Sequence, residues 1–402
     1  MKSIVYVLLC IVIITATLDG LRDTFIADNP ISYIKEISCI LLFAVMLLIV
    51  LKRGLRFKLS FPLIFNFFFL FILLVTLVVT KEYNSSAARG GLAFGGWSVW
   101  TKVFVAFLLS NALMMLSKIY PDLFYRIPKF YIIGVLIYSL LTILFITTGW
   151  VSLLPARNWY GRLSIGYPTM DSFVLICGCV FSFFFIHRRY IKLVCISIFS
   201  IVLVMQNTAT GYFMIAVLFL FMTLWLPREW KILPPVILIG GLCIGYYAYT
   251  YWAENMGTFG ALLTDKINGF ILGNNTSSID IRHMQIEVLL QDMRSSTFSM
   301  IFGKGGNEAF IVESQYYALF GFSGLMGLGL YSFLMIFYFI KWPVSFKLKT
   351  YYSHSFIILI MYAISVAGLI GFYLFPFVFI FAYLFAVYST SESEHSSLMR
   401  NM

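Results

Sequence analysis

Continuous apolar segments of about twenty residues recur along the whole chain, and no other feature restricts the fold as strongly. A helix that crosses a membrane needs about 20 apolar residues, whereas a strand of a membrane barrel alternates in polarity over about ten. Backbone groups in lipid have no water to bond, so these runs favour helices. About twelve segments can be counted, at approximately 3–18, 37–51, 61–80, 98–116, 130–150, 169–186, 193–206, 210–226, 232–252, 316–340, 353–370 and 372–388.

The composition also indicates that the chain lies in a lipid membrane. Of the 402 residues, 61% are hydrophobic and 11% are charged, and the mean hydropathy is +0.93. Soluble domains are about 45–50% apolar and about 25% charged. The sequence therefore predicts an all-α polytopic membrane protein.

The charges of the polar loops predict its orientation. The loops after segments two, four, six, eight and ten are basic, and the loop after segment one is mainly acidic. Since Lys and Arg collect in cytoplasmic loops, both termini are expected in the cytoplasm. The same rule explains the net charge of +11 without nucleic acid as a partner. The basic residues are Lys52, Arg53, Arg56, Lys58, Lys118, Arg126, Lys129, Arg188, Arg189, Lys192, Arg228, Lys231, Lys341, Lys347 and Lys349.

The segments form a single predicted transmembrane domain over residues 1–388. Residues 3–18 are interpreted as its first spanning helix, because no small-residue cleavage site follows them. Two external loops, at about 151–168 and 253–315, are long enough to carry a site. The polar residues 389–402 are expected to form a disordered cytoplasmic tail.

The first external loop combines arginines with aromatic residues. Arg157 and Arg162 lie near Tyr160 and Tyr167. Guanidinium groups match phosphate oxygens and keep their charge, and aromatic rings offer flat faces for sugars. These residues are therefore candidate substrate-binding groups. The alternatives are that the arginines bind lipid phosphates and that the aromatic residues anchor the chain at the interface.

The second external loop carries the candidate catalytic groups. Arg282 could hold a pyrophosphate, and Glu313 or neutral His283 could take a proton from an attacking hydroxyl. Arg294 is a further candidate for phosphate binding. Gly303 and Gly305 belong to a glycine-rich turn that would allow a ligand close to the backbone. Alternatively, His283 is a surface residue, and Glu313 pairs with Lys304 or stabilises a helix N-terminus.

No metal or cofactor motif is visible in the sequence. There is no Asp-x-Asp, no HExxH and no Walker loop, and the cysteines lack ligand spacing. A diphosphate would then be neutralised by cationic side chains. Lys102 and Asp171, each near the external end of a segment, are interpreted as snorkelling residues.

Three segments resemble the Wzy family of O-antigen and capsule polymerases, within the superfamily that includes the O-antigen ligases. The first is Arg157…Gly161-Arg162…Gly166-Tyr167-Pro168-Thr169, entering a helix. The second is Gln206-Asn-Thr208-Ala-Thr210-Gly211, similar to the family's T-x-S-R-x-x link, although glycine stands where the family has arginine. The third is Arg282…Phe302-Gly303-Lys-Gly305…Glu313-Ser-Gln-Tyr-Tyr317…Gly321…Gly324, similar to the family's large external loop.

The resemblance implies a membrane glycosyltransferase with a GT-C-like fold in a bacterial inner membrane. Such an enzyme moves a growing glycan from undecaprenyl diphosphate to a new lipid-linked repeat unit. Arg157, Arg162, Arg282 and Arg294 would bind diphosphates, and Glu313 or His283 would act on the acceptor hydroxyl. Membrane lipid surrounds the chain, and a chain-length regulator is a usual partner of the family.

Two other functions stay open at this point. An O-antigen ligase would share the chemistry, but ligases carry a histidine shortly after the G-x-G turn, where this chain has Glu313-Ser-Gln. A lipid-linked oligosaccharide flippase or other transporter would fit about twelve helices. Transporters usually contain internal repeats, however, and none is visible in this sequence.

Overall fold

The computed structural model describes residues 1–20, 33–55, 61–79, 96–148, 164–225, 261, 277–304, 312–340 and 351–389. This part of the chain is helical and contains no β-strand. Its helices are α1 (Lys2–Thr17), α2 (Ile34–Arg53), α3 (Phe61–Val79), α4 (Gly96–Ile119), α5 (Pro121–Phe124), α6 (Ile127–Thr147), α7 (Pro168–Phe185), α8 (Arg189–Met205), α9 (Ala209–Trp225), α10 (Ser277–Arg294), α11 (Thr297–Phe302), α12 (Gln315–Ile340), α13 (Tyr351–Ala367), the 3-10 helix η1 (Gly371–Tyr373) and α14 (Phe375–Ser389).

The all-helical prediction is confirmed for these residues, and each predicted apolar segment among them contains a helix. Within the described ranges, five helical stretches are long and apolar enough to cross a membrane, and one of them joins α5 and α6. They are Ile34–Arg53, Thr101–Ile119, Pro121–Thr147, Pro168–Phe185 and Gln315–Ile340. Several shorter apolar helices accompany them. The count of twelve spans and the GT-C-like architecture stay predictions. Segment 232–252, loop residues 151–163, most of 253–276 and the tail after Ser389 lie outside the described residues.

The chain divides into two compact units. Unit 1 contains the described residues of Met1–Ala16, Pro30–Phe130 and Ile281–Met402, and unit 2 contains those of Thr17–Asn29 and Tyr131–Asp280.

In unit 1 the most deeply buried helix is α14. Every residue from Phe375 to Tyr388 is buried, and α14 packs mainly against α4, which in turn packs against α2. Tyr383 of α14 also stacks on Phe124 of the short helix α5, with ring centroids 5.7 Å apart. A helix that is apolar all round needs partners on all its faces, so α14 organises this core.

In unit 2 the deeply buried helix is α7. It packs against α8 and α9, and nearly all its residues up to Ser182 are buried. Pro168 opens this helix at a position where its missing N–H costs no hydrogen bond. Gly178 lies so close to Val135 and Phe199 that a larger residue would push them away. Small residues of this kind allow close helix packing.

Helix α12 is broken at Gly324, where φ is 63° and ψ is −163°. The end of α11 and the residues that follow it pack against α12 at this break. Gly303 has φ of 82°, and a Cβ on it would collide with the backbone of Phe322 and Ser323. In the same way, a Cβ on Gly324 would collide with the backbone of Ile301. Both positions therefore require glycine.

Candidate functional site

The structure brings together two of the residues that the sequence identified as candidate catalytic groups. Arg282 lies on α10 and Glu313 lies two residues before α12. The Arg282 Nη2 and Nε atoms donate to Glu313 Oε2 over 2.9 Å and 3.3 Å. The two side chains are 41% and 50% exposed. The two residues are 31 positions apart in the sequence, so the fold brings them together. Both side chains remain accessible to a ligand.

A small apolar cluster holds the two ends of this pair in place. Leu289 and Met293 of α10 pack with Val312 and with Phe320 of α12. Val312 is 3% exposed and immediately precedes Glu313. Burial of such side chains contributes about 1.5–3 kcal/mol each. Arg282 and Glu313 are consequently presented by a packed framework.

The break in α12 lies in the same unit and has a specific partner. The Lys304 N–H donates to the Gly321 carbonyl over 2.9 Å. A broken helix inside a membrane leaves backbone groups that must find other partners. Here the segment that carries Gly303 supplies one of them. The glycine turn thus has a role in the fold, since Gly303 permits this close approach.

Gln315 attaches the start of α12 to the link between α13 and α14. Its side chain is fully buried. The Phe372 N–H donates to Gln315 Oε1 over 3.0 Å, and the Gln315 N–H donates to the Leu369 carbonyl over 3.1 Å. The sequence placed Gln315 close to Glu313 but did not indicate this role, because Leu369 and Phe372 are more than fifty residues away. The anchor fixes the backbone beside Glu313.

The other candidate residues are distributed more widely. His283 and Arg294 are exposed. Arg294 is twelve positions after Arg282 on α10, which corresponds to about 18 Å along the helix axis. The two arginines are therefore too far apart to bind one phosphate. Tyr167 is the residue before α7, in unit 2. Arg157, Tyr160, Arg162 and Gly305 lie outside the described residues.

Asp171 is not a snorkelling residue, contrary to the prediction. It is 1% exposed, and its Oδ2 accepts a 2.7 Å hydrogen bond from Tyr138 Oη. The Gln206 Nε2 donates to the same tyrosine oxygen over 3.2 Å. A snorkelling carboxylate would reach water instead. Asp171 belongs to a buried hydrogen-bonded network inside unit 2.

The same network has close backbone neighbours. The Cα atoms of Gly20 and Gly166 leave no room for a Cβ next to the Asp171 carboxylate. Ser172 and Thr208 exchange a hydrogen bond of 2.9 Å. Asn207, which is fully buried, adopts φ of 47°, and its Oδ1 accepts a hydrogen bond from Tyr212 Oη. The link between α8 and α9, which contains Asn207 and Thr208, is thus packed against polar side chains.

Lys102 is the second residue that was interpreted as snorkelling. Its Nζ lies 3.3 Å from the centroid of the Tyr373 ring, a cation–π contact within unit 1. It also lines a pocket with Lys35 and Glu36. The signal for such a grouping in the sequence is weak, because Lys102 lies far along the chain from Lys35 and Glu36.

Within the described ranges, no three His, Cys, Asp or Glu side chains form a group that could hold a metal ion. Comparisons with models of protein families, with curated proteins and with solved structures found no match to this chain. A function must therefore be inferred from the arrangement of Arg282 and Glu313.

The arrangement of Arg282 and Glu313 would allow an anion to bind and a proton to be accepted. Arg282 uses two of its N–H groups on a single carboxylate oxygen, so other donors of its planar fork remain directed elsewhere. A phosphate oxygen can compete for a guanidinium that is this exposed, because exposed ion pairs are worth only about 0–1 kcal/mol. A ligand that binds Arg282 would at the same time release Glu313 to accept a proton.

Proposed function

We propose that this chain is a membrane glycosyltransferase that polymerises lipid-linked oligosaccharide repeat units. The substrate is an undecaprenyl-diphosphate-linked oligosaccharide in a bacterial inner membrane. The growing glycan is transferred onto the non-reducing-end sugar of a new lipid-linked unit, for an O-antigen or a capsule, and no metal ion takes part. The observation that carries the proposal is the exposed Arg282–Glu313 pair, held by a rigid framework in a chain of apolar helices.

The transfer uses the two members of the pair in different ways. The bond between the anomeric carbon of the growing glycan and its diphosphate breaks, and undecaprenyl diphosphate leaves with its electrons. A bond forms from that carbon to the acceptor hydroxyl, and its proton passes to Glu313. Arg282 stabilises the negative charge that develops on the leaving group. His283, the next residue on α10, is the alternative proton acceptor.

The remaining candidate residues are proposed as further substrate-binding groups. Arg157 and Arg162 would bind a second diphosphate, Tyr160 and Tyr167 would contact sugar rings, and Arg294 would contact phosphate further along α10. Gly303 and Gly305 would let the backbone approach the ligand. The loop charges favour an external site with both termini in the cytoplasm. A chain-length regulator is a proposed partner, and nucleic acid is not.

The experiment is an assay with purified protein and a synthetic undecaprenyl-diphosphate-linked repeat unit in the presence of EDTA, read as a ladder on a gel. We expect a ladder for the wild type and none for Arg282→Ala. Arg188→Ala is the matched control, because this arginine is exposed and lies in a predicted cytoplasmic loop; it should retain the ladder.

Two results would overturn the proposal. One is an unchanged ladder for Arg282→Ala. The other is the absence of any ladder from a native repeat unit while the same protein moves that lipid across a vesicle bilayer, which would identify a flippase. An O-antigen ligase would instead transfer the glycan to a lipid A core and would add no repeat units to each other.

A further inference from the structure

Three basic residues lie close together where α7 passes into α8 in unit 2. They are Arg188, Arg189 and Lys192, and we call them the basic surface. Both arginines are exposed, and Lys192 is half-buried. No acidic residue occurs in the sequence from 172 to 228. The basic surface therefore has no neighbouring counter-charge along its own part of the chain.

The fold supplies no counter-charge either. None of the three side chains forms an ion pair with a residue that the structure describes. The Lys192 Nζ lies 5.2 Å from the centroid of the Phe183 ring, near the end of α7, so its position is defined. Partial burial, and after it the charge of Arg189, lower the pKa of Lys192 from its ordinary value. An anion bound to both residues would offset their repulsion.

Helix stability does not account for these charges. Arg188 is the N-cap of α8 and Arg189 is its first residue, and the first turn contains no acidic residue. The N-terminus of a helix carries a partial positive charge, so basic side chains there are unfavourable. The basic surface is consequently a cost to the isolated fold, and an anionic partner would remove that cost.

An apolar stripe continues from the basic surface along α8. Its four residues are exposed and lie on one side of the helix, because their spacing follows the helical repeat. They are Tyr190, Val194, Ile201 and Val204. The other side of α8 is buried and includes Cys195, Phe199, Val202 and Leu203, and α8 packs against α7. In a chain of apolar helices, an exposed apolar stripe faces the hydrocarbon of the bilayer.

The start of α8 is thus placed where lipid headgroups meet hydrocarbon. The loop charges predict that this end of the helix is cytoplasmic. Tyr190 is 86% exposed, and tyrosine is enriched at the boundary between membrane and water. Anionic lipids of the cytoplasmic leaflet attract basic residues that lie close to the surface.

An anionic phospholipid matches both parts of this region. Its phosphate fits the basic surface, and its acyl chains fit the apolar stripe. A soluble anion would leave the stripe unused. A zwitterionic lipid would bring a cation of its own to a surface that is already positive.

We propose that the basic surface binds the headgroup of an anionic phospholipid. Arg189 and Lys192 are three positions apart, so they are neighbours on the helix surface, and both donate to the phosphate oxygens. Arg188 adds its charge, and the acyl chains lie along the apolar stripe. The proposal does not rest on the polymerase function, because it requires no turnover and uses no residue assigned to the transfer.

The test is native mass spectrometry of the full-length protein in detergent, titrated separately with phosphatidylglycerol and phosphatidylcholine. The wild type should bind phosphatidylglycerol more tightly. The double variant Arg189→Gln/Lys192→Gln should weaken this binding about thirtyfold, because each basic residue near an anionic membrane surface contributes about fivefold. Its binding of phosphatidylcholine should not change.

Arg126→Gln/Lys129→Gln is the matched control. These residues are also an exposed arginine and an exposed lysine three positions apart, in another predicted cytoplasmic loop. The control removes the same charge and should bind phosphatidylglycerol like the wild type. Equal losses in the two double variants would overturn the proposal, because net charge would then account for the binding. Unchanged binding in Arg189→Gln/Lys192→Gln would overturn it as well.

A charge-conserving exchange protects the test against misfolding. Arg189→Lys/Lys192→Arg should retain most of the preference for phosphatidylglycerol, whereas a damaged protein would lose both lipids. Displacement of phosphatidylglycerol by an equal concentration of inorganic phosphate would contradict the proposal, because the apolar stripe would then contribute nothing. A wild type that does not distinguish the two lipids would also overturn it, and an acidic segment of another protein would become the better partner for this surface.

Discussion

The Arg282–Glu313 pair of unit 1 and the Asp171 network of unit 2 are both built around a carboxylate, but they differ in exposure and in what surrounds them. Glu313 is half exposed and pairs with Arg282. Asp171 is buried and accepts a hydrogen bond from the phenol of Tyr138, which Gln206 also contacts. The first carboxylate can exchange its partner for a ligand, and the second cannot do so without breaking the core.

Tightly packed glycines in each unit face different kinds of neighbour. In unit 1, Gly303 and Gly324 each face the backbone of the other's segment. In unit 2, Gly20 faces the carboxylate of Asp171, a side chain. A side chain can rotate away from a new methyl group, whereas a packed backbone cannot. Unit 1 therefore combines a tightly packed backbone crossing with an exposed ion pair, whereas the close contacts of Gly20 in unit 2 are made with a hydrogen-bonded side chain.

The largest expected effect on stability is that of Gly324→Ala. The new Cβ would collide with the Ile301 backbone, and alanine strongly disfavours φ of 63° with ψ of −163°. We expect a loss of about 3 kcal/mol in the free energy of unfolding, measured by equilibrium unfolding in mixed micelles. Gly329→Ala on the same helix is the control, because nothing lies within 4 Å of its Cβ. Equal effects of the two changes would contradict a rigid crossing.

Asp171→Ala should have the next largest effect. Tyr138 would lose the acceptor of its buried hydroxyl, which costs about 2 kcal/mol together with the cavity that forms. Asp122→Ala is the control, since Asp122 is 47% exposed and pairs with Lys2 at the surface. The same unfolding measurement should show less than about 1 kcal/mol for this control. If the two aspartates proved equivalent, Asp171 would not be part of a structural network.

Gly20→Ala tests whether a collision with a side chain costs less stability than a collision with the backbone. We expect a cost of about 1 kcal/mol, smaller than that of Gly324→Ala, because the Asp171 carboxylate can shift. The effect should shrink further in the Asp171→Ala background, where the colliding oxygen is absent. A double-mutant cycle measures this coupling. Strictly additive effects would show that Gly20 and Asp171 do not constrain each other.

The smallest expected effect on stability is that of Arg282→Ala, although its effect on polymer formation should be complete. The lost ion pair is exposed and is worth less than about 1 kcal/mol. The exchange Arg282→Glu with Glu313→Arg would rebuild the pair with its members reversed. It should unfold like the wild type and still form no ladder, because the guanidinium is misplaced. Activity in the exchanged variant would show that only the pair itself matters.

The sequence alone determined that the described part of the chain is all-helical and where its apolar helices lie. Hydropathy decided both, since a run of apolar residues in lipid has no alternative to satisfying its backbone within a helix. It also singled out Arg282 and Glu313 as chemically suitable residues. The same hydropathy misled about Asp171, because it contains no information on whether a polar group near a helix end faces water or the partners Tyr138 and Gln206.

Only the tertiary structure decided which of these residues meet. The contact of Arg282 with Glu313, the passage of Gly303 across Gly324, and the grouping of Lys35 with Lys102 all join distant parts of the chain. A helical pattern repeats every 3.6 residues and specifies the apolar face of one helix. It does not specify the neighbour of that face, which depends on the packing of all the helices at once.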